Sequence, residues 1–253
     1  MSKQGLEWHS YQVLDSTNEE AKRLLAQGYG HGTVVEALEQ TKGKGRKGRT
    51  WVSAKGEGLY FSLIVEPQDS GERAAGLTLV MAMAICRALE EVLPFHKIQI
   101  KWPNDLIINR KKVCGILAEL ILDGAKIQGV ILGAGINLLQ ETFEEELKDK
   151  ATSLYLETKQ APDVSVLKDA IGHHWKEYYE KYQQNKDLEF LREEYQTRLV
   201  NLGETVRVLD PKGEYEGIAR GITKEGYLIV DTDGQMQYVS SGEVSVRGVY
   251  GYV

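Results

Sequence analysis

Residues 40–51 read Gln40-Thr41-Lys42-Gly43-Lys44-Gly45-Arg46-Lys47-Gly48-Arg49-Thr50-Trp51. Two readings of this stretch lead to two different folds. Gly43, Gly45 and Gly48 have the spacing of a dinucleotide fingerprint, which would demand a doubly wound parallel sheet. That fingerprint needs an apolar helix opening directly after it. Instead Arg49 to Ser53 follows, then Gly56, Gly58 and a strand-like run from Leu59 to Val65. The Walker A ending is missing as well. What remains is a glycine-rich loop between two strands. Its five cations, with no acid among them, need an anion to offset their mutual repulsion. Its glycines let the backbone approach a ligand closely. The stretch therefore predicts a loop that wraps a phosphate- or carboxylate-bearing ligand. A solvated loop without function would explain the charges, but not the interleaved glycines or the flanking Gln40 and Trp51.

Outward from the loop, the pattern alternates helices and strands. Ser16 and Thr17 each precede a glutamate by three residues, a double capping signal for a helix that ends near Gly28. Thr33 to Leu38 and Leu59 to Val65 read as the strands on either side of the basic loop. Arg73 to Leu93 reads as an apolar core helix. Short strands over Ile98–Trp102 and Leu106–Ile108 flank Pro103-Asn104-Asp105. Val113–Leu122 and Lys126–Ile136 form a hairpin turning at Asp123-Gly124. Residues 163–200 hold two helices. From Gly203 onward, short β-like runs at close spacing predict a small barrel. The boundary falls near residue 200: a catalytic unit over 1–200 and a small all-β unit over 201–253.

Composition narrows the function. The 253 residues carry a net charge of -6, so positive charge is concentrated in one loop of an acidic protein. That favours a small anionic ligand over a long polyanion. No apolar run is long enough to span a bilayer, and the N-terminus lacks a signal-peptide core. Cys86 and Cys114 lie in apolar segments and read as buried free thiols, which points to the cytoplasm. No Cys/His spacing matches a metal site, and His173-His174 reads as surface or packing.

Three further stretches carry chemistry. Lys101-Trp102-Pro103-Asn104-Asp105-Leu106 places a cation, an amide and a carboxylate together, a set suited to Mg²⁺ and a nucleotide. In Lys112-Val113-Cys114-Gly115-Ile116-Leu117 a lysine stands at the mouth of an apolar strand. Gly115 there admits a ligand to the backbone. Gly133-Ala134-Gly135-Ile136-Asn137-Leu138 leaves room at a strand end beside an amide of both hydrogen-bonding senses.

In this order, and with Asp15-Ser16-Thr17-Asn18, Ala151-Thr152-Ser153-Leu154 and Gly242 to Arg247, these stretches resemble biotin protein ligase over essentially the whole chain. The resemblance implies an α+β fold: a mixed β-sheet flanked by helices, class II synthetase-like, with a small C-terminal SH3-like β-barrel. It implies an enzyme that joins biotin and MgATP into biotinyl-5′-AMP and pyrophosphate. Biotin then passes to a lysine of a biotin carboxyl carrier domain, as in acetyl-CoA carboxylase. Some members carry an N-terminal helix-turn-helix repressor domain. With Ser16 so early, the expectation is the monofunctional type, without DNA binding. A homodimer is plausible, because related enzymes pair through sheet edges.

The resemblance also assigns residues. Lys112 becomes the cation between the biotin carboxylate and the α-phosphate, with Arg46 and Arg49 on the oxygens. Biotin falls to Ser16, Thr17, Asn18, Gln40, Gly43, Lys44, Gly45, Arg46, Lys112, Gly115 and Ile116. ATP falls to Arg46, Arg49, Trp51, Asn104, Asp105, Lys112 and Asn137, with Asp105 toward Mg²⁺. Lys44 stands where the family usually has arginine, losing the bidentate fork. A lipoate or octanoate ligase is the nearest rival, but its apolar substrate tail has no use for Ser16, Thr17 and Gln40. A nucleic-acid-binding module is the other rival. The isolated patch and the lack of an aromatic series argue against it.

Overall fold

The computed structural model describes residues 6–66, 74–94, 96–124, 126–210, 213–241 and 245–248. Arg73, the Gly242–Val244 part of the C-terminal motif and the side chain of Arg247 lie outside the described residues.

Seven strands form one mixed sheet. They are β1 (Glu7–Leu14), β2 (Thr33–Gln40), β3 (Gly58–Val65), β4 (Gln99–Lys101), β5 (Asp105–Ile108), β6 (Lys111–Asp123) and β7 (Lys126–Asn137). Their order is β1-β2-β3-β7-β6-β5-β4. β1 and β2 run parallel, and the other neighbours are antiparallel. A parallel pair needs a crossover, and helix α1 (Thr17–Ala26) supplies it.

The side-chain alternation of β3 decides what lies on each face. Leu59, Phe61, Leu63 and Val65 join the large core with helix α2 (Ala74–Val92). Ile64 points the other way, where Val35 and Ile131 pack against Ala21, Leu24 and Leu25 of α1. Burying each of those leucines stabilises by about 2 kcal/mol. With helices on both faces, β3 reads as a continuous apolar run broken by one polar residue, Ser62. Ser62 points toward α1, as its place in the alternation requires.

Three helices follow: α3 (Leu154–Thr158), α4 (Val164–Asn185) and α5 (Glu189–Arg198). Asp163 caps α4 by accepting from the backbone N–H groups of Ser165 and Val166. Five antiparallel strands complete the chain: β8 (Thr205–Leu209), β9 (Tyr215–Ile222), β10 (Leu228–Thr232), β11 (Gln235–Val239) and β12 (Ser245–Gly248). Their order is β11-β10-β9-β8-β12. The Trp102 indole N–H donates to Gly226 O at 3.0 Å, fastening this sheet to the loop between β4 and β5.

The expected architecture is present. Three elements were not foreseen among the described residues: β1, α3 and a single 3-10 turn at Arg46–Gly48 in the basic loop. β1 is half-exposed along its length and lacks the apolar signature of a buried strand. Cys86 and Cys114 are free and buried, and burial raises both thiol pKa values above the ordinary range. The paired histidines differ from each other. His174 is buried with Nε2 2.7 Å from Glu91. It also lies near His173 and Glu177, one ligand atom of each within 4.8 Å of the others. Glu177 is already paired with Lys181 at 2.7 Å.

Candidate active site

A cleft of about 430 Å³ opens where the N-terminus of α1, the basic loop and the middle of β6 and β7 meet. Ser16, Thr17 and Asn18 enter from α1, and Gln40 from the end of β2. Lys44, Gly45, Arg46 and Trp51 come from the loop. Asn104, Lys112, Gly115, Ile116, Leu117, Gly133, Ala134 and Gly135 complete the lining.

One part of the cleft is a neutral hydrogen-bonding cluster. Gln40 Oε1 accepts the Thr17 backbone N–H at 2.7 Å, and its Nε2 donates to Ser53 Oγ at 2.8 Å. Ser62 Oγ lies 2.8 Å from Thr17 Oγ1 and 2.6 Å from Asn18 Oδ1. Asn18 Nδ2 donates to Glu119 at 2.6 Å. Lys22 bridges Glu119 and Glu19, at 2.8 Å from each. Lys44 reaches the same Glu19, tying the loop to α1. Lys22 and Lys44 hold the Glu19 carboxyl below its ordinary pKa.

The floor is a pair of cross-strand glycines, Gly115 and Gly135. The Trp51 indole covers them so closely that a Cβ on Gly135 would fall 2.4 Å from Nε1. A Cβ on Gly115 would fall 2.8 Å from the same ring. Gly133, two residues along β7, leaves room for Asn18 in the same way: a Cβ there would lie 2.0 Å from Oδ1.

Lys112 and Arg46 lie at the Gly115 end. Lys112 Nζ is 2.6 Å from Asp105 Oδ1 and 5.1 Å from the centre of the Trp51 ring. Arg46 donates to Asn104 Oδ1 at 2.9 Å and to the Ser241 carbonyl. Burial lowers the Arg46 pKa; Asp105 opposes the shift and Arg49 adds to it. Asn104 is held in turn by Ile116, through Nδ2 and through its own carbonyl, each at 2.9 Å. Lys47 takes the left-handed conformation with φ 56° at the loop's tight turn.

Four of the residues assigned from sequence do not line the cleft. Gly43 is buried beneath the loop, where a Cβ would meet Trp51 O at 2.3 Å. Arg49 is exposed, and its carbonyl accepts from Gly45 N at 2.7 Å. Asp105 stands behind Lys112 as its ion-pair partner. Asn137 is buried at the end of β7, donating to Thr152 O at 3.0 Å. Thr152 N donates to Lys112 O at 2.9 Å, so the Ala151–Leu154 segment braces the strand that carries Lys112. Sequence reasoning passed over Ser53, Ser62, Glu119, Leu117 and Ala134. Ser62 had a signal, one hydroxyl inside the apolar run of β3. Glu119 had none, because its partners are 97 and 101 residues away.

Residues 10–137 match the model of the biotin/lipoate A/B protein ligase family. Residues 202–247 match that of the biotin protein ligase C-terminal domain. A biotin–[acetyl-CoA-carboxylase] ligase of Paracoccus denitrificans is 33% identical over 241 residues, 92% of this chain and 98% of that protein. A bifunctional ligase/repressor BirA of Bacillus subtilis is 33% identical over 244 residues, 93% of this chain and 73% of its own. A solved biotin protein ligase from Aquifex aeolicus, in complex with biotin and ATP, superposes with a TM-score of 0.85 at 33% identity. The match covers 96% of this chain and 99% of that one.

Proposed function

This chain belongs to the biotin protein ligase family and is an enzyme of that kind, and we propose that it activates biotin with MgATP and passes it to a carrier lysine. One observation carries the reading: the uncharged hydrogen-bonding residues Thr17, Asn18, Gln40 and Ser62 and the Lys112 cation occupy different stations along the same two strands. Asn18 marks the first at Gly133, and Trp51 and Lys112 mark the second at Gly115 and Gly135. Gly133 and Gly135 are about 7 Å apart, two residues of extended strand. Biotin has the same polarity, a neutral ureido ring at one end and a carboxylate at the other.

In the first step the biotin carboxylate attacks the α-phosphate of ATP, forming biotinyl-5′-AMP and expelling pyrophosphate. An anionic nucleophile must approach an anionic phosphate, so preorganised cations are the main remedy. Lys112 serves between the two, and Arg46 holds the carboxylate and phosphate oxygens. Arg49 approaches from the loop, and Asn137 fixes the segment behind Lys112. Trp51 walls the adenine side. Asp105 and Asn104 would be the oxygen groups to hold an Mg²⁺ brought by the nucleotide, whose charge would offset that of the phosphates, and Asp105 would then share its carboxylate between the ion and Lys112. In the second step the carrier lysine attacks the anhydride carbonyl and AMP leaves. The loop, tied by Lys44 to Glu19 and by Arg46 to Asn104 and Ser241, shields the anhydride from water and reopens for the carrier.

The partner expected is a biotin carboxyl carrier domain of acetyl-CoA carboxylase or a related carboxylase. Among the described residues no helix is long and apolar enough to cross a membrane. The test is transfer: the protein, MgATP and biotin should biotinylate such a domain at one lysine, and replacing that lysine by arginine should abolish the label. A carrier domain left unlabelled while adenylate accumulates would refute the transfer step.

A further inference from the structure

The hydrogen-bond direction at the neutral end of the cleft is decided outside the cleft, by Glu119. Its carboxylate has only acceptors to offer. The Asn18 group facing it at 2.6 Å is therefore the amide NH₂, and Asn18 Oδ1 must face Ser62. An amide oxygen only accepts, so the single Ser62 hydroxyl proton goes to Asn18 across 2.6 Å. Ser62 Oγ then has no proton left for Thr17. The 2.8 Å contact between the two hydroxyls needs one, and Thr17 supplies it.

The consequence appears where a ligand would bind. Thr17 Oγ1 has spent its proton on Ser62, and Gln40 Oε1 has none to give. These two oxygens are 3.1 Å apart and both residues line the cleft. With the Thr17 proton on Ser62, no proton lies between Thr17 Oγ1 and Gln40 Oε1, and the two become adjacent acceptors suited to an N–H donor. We propose that Glu119 is a specificity-determining positioning residue: through Asn18 and Ser62 it fixes Thr17 as an acceptor and so selects acids whose neutral end carries N–H groups. Lys22, 2.8 Å from Glu119, holds the second carboxylate oxygen and keeps the relay pointing one way. Fatty and dithiolane acids have no N–H to place there. The inference rests on the biotin reading above and deepens it.

Glu119→Gln is the diagnostic change because it preserves shape. Lys22 claims the new carbonyl, so the new NH₂ faces Asn18 and turns that amide over. Asn18 then donates to Ser62, Ser62 to Thr17, and Thr17 to Gln40 Oε1 at 3.1 Å, so the paired acceptors are lost. The relay is reversed with no atom removed.

The measurement is pyrophosphate release with biotin and ATP varied in turn, with the melting temperature of each variant. Glu119→Gln should raise the biotin KM about tenfold, the scale of one hydrogen bond facing the wrong way. The ATP KM and the melting temperature should hold. Adding Lys22→Met frees the glutamine carbonyl to face Asn18 and should restore the biotin KM. Ser62→Ala removes the acceptor of the Thr17 proton and should reproduce the loss, which keeps the test open if Glu119→Gln does not fold. An unchanged biotin KM in Glu119→Gln, or no recovery in the double variant, overturns the proposal. So does a joint rise of both KM values with a lowered melting temperature. Wild-type protein that releases no pyrophosphate with biotin would instead refute the function proposed above.

Discussion

Lys112 and Asp105 form an ion pair of 2.6 Å across the β5–β6 strands, with side-chain exposures of 23% and 14%. The cation is held in place before any substrate anion arrives. Lys112→Met should cut biotin-dependent pyrophosphate release by about 10² to 10³, the range for removing one preorganised charge donor. Binding of biotin alone, followed by calorimetry, should fall far less. Normal pyrophosphate release would remove Lys112 from the chemistry.

Gly133 and Gly135 should give different phenotypes although they are close neighbours on one strand. Gly133→Ala drives a Cβ into Asn18, and Gly135→Ala drives one into Trp51. Overpacking of this kind costs about 1–3 kcal/mol. The first should raise the biotin KM and the second the ATP KM. Equal effects on both substrates from both variants would contradict the division of the cleft into two stations.

Arg46 bridges the loop, Asn104 and the Ser241 carbonyl. Arg46→Gly releases all three at once and adds backbone freedom. Adenylate should then escape into solution and hydrolyse, while its formation continues at a reduced rate. The check is free biotinyl-5′-AMP after rapid filtration. Retention equal to wild type would show that the loop closes without Arg46.

Asp15 accepts from Arg23 at 2.7 and 3.1 Å and from the Ser16 N–H at 2.8 Å. The Arg23 hydrogen bonds lead in holding its carboxyl at about 2, down from 3.8. The folded value lies below the unfolded one. The stabilisation is therefore present above the unfolded value and fades as pH falls toward the folded one. With 40% of the Asp15 side chain exposed, solvent screening keeps the effect small. Asp15→Asn should lower the melting temperature slightly near neutrality, with the deficit shrinking on acidification. A deficit that widens toward acid would contradict this assignment.

Sequence was most informative where local pattern dictates structure. The helix expected before Glu19 forms from Thr17, although Ser16 makes no side-chain cap bond, and the Asp123-Gly124 turn and the close-spaced strands after Gly203 became the elements they announced. Glycines at 115, 133 and 135 read as room for a ligand, and in the structure the side chains of Trp51 and Asn18 lie against them. Long-range pairing was not legible. Nothing near Glu119 announces Asn18 or Lys22, because period-2 alternation gives a face but not the helix that covers it. Arg49 and Asn137 were assigned by motif, and motif does not tell a lining side chain from one that points out or braces the wall. β1 escaped notice because a half-exposed edge strand carries little apolar signal.

The central claim is that this cleft makes an acyl-adenylate and chooses biotin. Purified protein should be incubated with MgATP and biotin, lipoate or octanoate in turn, with pyrophosphate and adenylate measured by mass spectrometry. Stoichiometric pyrophosphate and biotinyl-5′-AMP with biotin, and neither with the other two acids, is the predicted result. Adenylate formed from lipoate or octanoate but not from biotin would contradict it.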